Sequence, residues 1–136
     1  MTPQPITVEV TVAAPVAKVW DAYTTPEDIM QWNAASDDWH TPAASVDLRE
    51  GGAFSARMEA KDGSMGFDFA GTYTKIEPHR RIEYEFGGRH AVVNFLPEDD
   101  RVRMRVTFDA ETETPVVHQR AGWQAILDSF RRHVER

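Results

Sequence analysis

Apolar residues recur along this chain with two periods. In ITVEVTVAA, Ile6, Val8, Val10 and Val12 share one face and Thr7, Glu9 and Thr11 the other. That period of two marks a strand with one buried face. The period then changes. Behind Pro15, Val16, Val19, Trp20 and Tyr23 follow at helical spacing, an apolar stripe on a helix whose first turn suits proline. Thr25, Pro26 and Asp28 predict a second short helix, with Thr25 as cap. It carries Ile29, Met30 and Trp32.

From about residue 43 the period of two returns and persists. ASVDL predicts a short strand. AFSARMEA sets Phe54, Ala56 and Met58 against Ser55, Arg57 and Glu59. MGFDFAGTYTKI puts Phe67, Phe69, Gly71 and Tyr73 on one face, and RIEYEF does the same with Ile82, Tyr84 and Phe86. HAVVNFL and RVRMRVTF complete the set, the last with Arg101, Arg103 and Arg105 on its polar side. EGG, KDGS, EPHR, GGR and PEDD separate the strands. These short turns predict an antiparallel meander. In TPVVHQRAGWQAILDSFRRHVER the helical period resumes, with Thr114 as cap and Pro115 as first helical residue. This helix runs for about twenty residues, or roughly 30 Å.

Composition narrows the picture. The chain has 136 residues, one domain's length, with no cysteine and a net charge of −7. Disulfides and thiolate metal sites are therefore excluded, and an acidic chain is a poor general binder of nucleic acid. The start, MTPQPITVEV, lacks the basic and apolar regions of a secretory signal, and no apolar run is long enough to span a membrane. A cytoplasmic protein, monomer or homodimer, is expected.

VWDAYTTPEDIMQW, DLREGGAF, GTYTKIEPHRRIEYEF and AGWQAILDSF, in this order over nearly the whole chain, resemble the activator of heat-shock-protein-90 ATPase homologue (AHSA1-like) family. That family lies within the START-like, Bet v 1-like SRPBCC superfamily. The resemblance implies an α+β helix-grip fold: one domain over residues 1–136, a curved seven-stranded antiparallel sheet around a long C-terminal helix, and two short helices after the first strand. It also implies a cavity between helix and sheet. Three functions follow from it: carriage of a small apolar or lipid-like molecule, cyclase or aromatase-type catalysis, or a co-chaperone role. The second domain that gives the eukaryotic namesake its main chaperone contact has no counterpart in these residues.

The faces suggest the cavity wall. Met58, Phe67, Phe69 and Tyr73 lie on the apolar side of the sheet, and Trp123 would face them from the middle of the helix. A helix across a curved sheet touches it best at its ends, so a void is expected beneath that middle, with Gly122 relieving the contact. Trp32 and Trp39 bracket the polar NAASDD. They plug the core or, with Asn33, edge a pocket mouth, and the resemblance favours the mouth. Trp20 and Tyr23 read as core. Gln119 falls on the inward stripe; it needs a partner, an opening, or a place at the stripe's edge. No catalytic set emerges. The five histidines are scattered, and Arg57, Glu59 and Asp68 fall on outward faces, as a solvated ion-pair surface. No metal or cofactor is expected, and a binder is favoured over an enzyme.

Overall fold

The computed structural model describes residues 5–136. Its elements are β1 (Pro5–Val12), α1 (Val16–Thr24), α2 (Pro26–Trp32), β2 (Trp39–Val46), β3 (Ala53–Ala60), β4 (Gly66–Glu77), β5 (Arg81–Phe86), β6 (Arg89–Glu98), β7 (Arg101–Asp109) and α3 (Val116–Val134). The seven strands form one antiparallel sheet in the order β1-β7-β6-β5-β4-β3-β2. The chain thus meanders from β2 to β7 and closes its last strand onto its first.

Strict alternation sets the register. Ile6, Val8, Val10 and Val12 are buried opposite Phe108, Val106, Met104 and Val102. The β5–β6 turn is the two glycines Gly87 and Gly88, with φ of 55° and 78°. Both need the left-handed region, which makes the tight hairpin glycine's own.

Two sequence expectations shift, the place of Trp39 and the helix caps. Trp39 opens β2 rather than sitting in the loop; Pro42 lacks an N–H and the ladder slips between His40 and Ala43, which hid the strand's first half from a period-two reading. The cap of α3 is Pro115, one residue later than Thr114, and Thr25 caps α2 by backbone alone, with no side-chain hydrogen bond. Of the outward β7 arginines, Arg105 meets Glu9 at 2.7 Å, while Arg103 turns to Glu98 and Arg101 to Asp100. Register decides this: Glu9 lies opposite Arg105, whereas Thr11 lies opposite Arg103. Such exposed pairs contribute about 0–1 kcal/mol each. Arg57 donates to Glu59 at 2.9 Å and forms an ion pair with Asp68 at 3.6 Å on the outer face, as its parity indicated.

Gly71 shows how closely the concave face is filled. A methyl group there would collide with the Glu85 carbonyl oxygen and reach 2.8 Å from the Phe54 ring. Gly71→Ala is expected to cost about 1–3 kcal/mol by overpacking, read as a lower denaturation midpoint. An unchanged midpoint would show that the Phe54 ring and the Glu85 backbone both yield freely.

Candidate functional site

The backbone of α3 approaches the sheet chiefly at β1, and that of α2 approaches β2. The concave face of β3, β4 and β5 is left between them. A cavity of about 320 Å³ occupies that space, at the small end of the roughly 300–1,000 Å³ typical of small-molecule sites. Its α3 wall is the middle of that helix: Trp123, Ile126 and Leu127. Gly122 has no part in it: a side chain there would meet nothing within 4 Å.

Its walls are mostly aromatic. Phe54, Phe69, Tyr73 and Tyr84 come from the sheet, Tyr23, Ile29 and Trp32 from the short helices, and Trp123, Ile126 and Leu127 from α3. Trp123 stacks on Phe108 at 3.9 Å, meets Phe69 edge to face and lies tilted against Phe86. One of its faces is thus core while the rest borders open space. Phe67, 48% exposed, lies in the rim.

All three tyrosines of the chain line the cavity. Tyr73 and Tyr84 are cross-strand partners, and Tyr23 reaches in from α1, stacked on Trp32 at 5.3 Å. None of the three hydroxyls has a hydrogen-bond partner among the described residues. Burial, the main cause, pushes the Tyr73 phenol up to about 12. Burial and the neighbouring phenols push Tyr23 and Tyr84 further up. Each remains a neutral donor at ordinary pH.

Asn33, Ser45 and Ser55 also border the space, with Arg89 as its one charged residue. No Asp, Glu, His or Lys lines it among the described residues, nor does any cluster there have the makings of a metal site.

Seven of the nine residues singled out from sequence line the cavity: Trp32, Asn33, Met58, Phe67, Phe69, Tyr73 and Trp123. Two do not. Trp39 packs on the Phe67 ring at 5.9 Å and stays outside the lining. Gln119 is buried, but as a clasp: its amide accepts from the Glu111 N–H and donates to the Glu111 and Thr114 carbonyls. That answers its need for partners without an opening. Trp32 itself is held by its indole N–H donating to the Ala22 carbonyl at 2.9 Å. Tyr23 packs against the core as read, meeting Phe95 and Phe130 edge to face, and it borders the cavity as well. Arg89, read as part of a turn, was missed; parity held the signal, since residues 89, 91, 93 and 95 share one face.

A curved antiparallel sheet gripping a C-terminal helix, with a ring-lined space beside that helix, defines the helix-grip class. The chain matches the family profile of Activator of Hsp90 ATPase homolog 1-like proteins over residues 13–135, and it belongs to that family. It is similar to the AHSA1-like protein of Aeromonas hydrophila, at 45% identity over 97% of this chain and 92% of that one, with a TM-score of 0.92. A protein of Cytophaga hutchinsonii is 46% identical over 96% and 91% of the two chains, with a TM-score of 0.83. A Chromobacterium violaceum protein shares the fold at 22% identity, covering 98% and 99%, with a TM-score of 0.87. No curated protein matches the chain. No helix among the described residues is long and apolar enough to cross a membrane.

Proposed function

We propose that this protein binds a single small, largely apolar molecule in the cavity beside α3. The observation that carries this reading is the set of three tyrosines, Tyr23, Tyr73 and Tyr84, which line the open space and whose hydroxyls have no protein partner among the described residues. Buried polar groups ordinarily find partners. Here a guest or water must supply them, and the surrounding rings would hold an apolar body. Helix-grip relatives that bind ligands make this reading natural for the family. Cyclase or aromatase-type catalysis is less well supported. Proton abstraction needs a group able to accept a proton near neutrality, and phenols pushed upward by burial only donate.

Native mass spectrometry of protein purified from its own host tests the proposal. A retained adduct of small mass, lost on denaturation, is expected. A clean unliganded mass, together with no change in the fluorescence of the neutral dye Nile red, would leave a packed domain without a carrier role.

A further inference from the structure

Arg89 stands apart from every other strand arginine. Arg57, Arg81, Arg101, Arg103 and Arg105 each have a carboxylate within 4 Å, on Glu59, Glu83, Asp100, Glu98 and Glu9 respectively. Arg89 has none among the described residues. It is also the strand arginine that faces inward. Its cross-strand partner is Phe86, and the next inward pairs along the same hairpin are Tyr84 with Ala91 and Ile82 with Val93. These neighbours are buried, so parity sets the guanidinium on the concave side, where it lines the cavity.

Little of its binding capacity is used. One N–H donates to the Asp109 carbonyl at 3.2 Å, and the guanidinium carbon lies 4.5 Å over the Phe86 ring. The Asp109 carboxylate is occupied elsewhere, accepting from the His90 N–H at 2.9 Å. A guanidinium has five donors in a planar fork suited to a carboxylate. A half-buried cation without a counter-ion is costly to hold, and the protein's net charge of −7 shows no shortage of carboxylates. The phenol hydroxyls add further donors, so the polar surface of the cavity is rich in donors and carries one positive charge.

We infer that the cavity selects an apolar, ring-sized anion, its carboxylate meeting the Arg89 guanidinium and its body lying against Phe69 and Trp123. This rests on the cavity being a binding site. It adds a charge and an orientation: the acid end toward the Gly87–Gly88 hairpin, the apolar end toward α2.

Two probes of matched shape separate the claims: naphthoate and the uncharged naphthylmethanol, titrated calorimetrically into the full chain. Naphthoate is expected to bind the wild type about tenfold or more tightly than naphthylmethanol, the size of a charge-assisted bond. In Arg89→Met that preference for the acid over the alcohol should vanish; in Arg89→Lys a reduced preference should remain, since the charge is kept but the fork is lost. Equal binding of the two probes by the wild type, or a preference surviving in Arg89→Met, would overturn the anion subsite and leave the binding reading intact. If neither probe nor Nile red binds, both fall. Should Arg89→Met fail to fold, the wild-type comparison and Arg89→Lys still decide.

Discussion

Phe130→Ala is expected to lower the unfolding free energy by about 3–5 kcal/mol, the range for a fully enclosed aromatic side chain. Phe130 is completely buried on α3. The rings of Trp32 and Tyr23 meet it edge to face at 5.0 and 5.4 Å. It therefore fastens the C-terminal part of the helix to both short helices. Truncation removes the ring and leaves a hole whose walls, Trp32 and Tyr23, are fixed by α1 and α2 and cannot collapse fully. Because the same two residues line the cavity, the hole should merge with it. Denaturant unfolding at an unchanged slope measures the loss. A loss under about 1.5 kcal/mol would mean that the helices close over the gap.

The second large effect is alkaline. Since every tyrosine faces the cavity, phenolate absorbance reports on that space alone. Unfolded tyrosine titrates near pH 10, whereas burial holds Tyr73 up to about 12 and the other two higher. The folded values are raised, so the stability these phenols contribute is whole below about pH 10. It is lost as pH climbs toward the folded values, at about 1.4 kcal/mol per pH unit for each phenol. The folded protein should show almost no phenolate at pH 11, then release it in one cooperative step together with the loss of circular dichroism. Two or more phenols titrating below pH 11 in the folded state would show the cavity open to bulk water.

Much of this architecture is written in alternation. The inward sets of β1, β5 and β7 are legible because each short strand has one wet and one dry face, and the helical stripe of Trp123, Leu127, Phe130 and Val134 is as plain. The cavity's aromatic wall follows from the same parity. What parity does not give is lateral position. Nothing in the residues of α3 says that its backbone approaches the sheet chiefly at β1. Side-chain hydrogen bonding is equally silent: Gln119 on an inward stripe looks like a lining residue until its loop partners are seen. Trp39 was misplaced because Pro42 interrupts the strand's rhythm. Arg89 is different, an inward charge that alternation marked and that its position after two glycines disguised.

The one-sided seating of α3 has an evolutionary corollary. Phe108 stacks on Trp123 of the helix, and the Gln119 clasp closes the loop that leads into it. Ile126, Phe69 and Met58 border the open space. Lineages can thus exchange residues of the second group, resizing or reshaping the chamber, without disturbing the joints that make the molecule fold. A single scaffold can then be retuned to different guests by drift along one seam, while its opposite seam stays under structural selection.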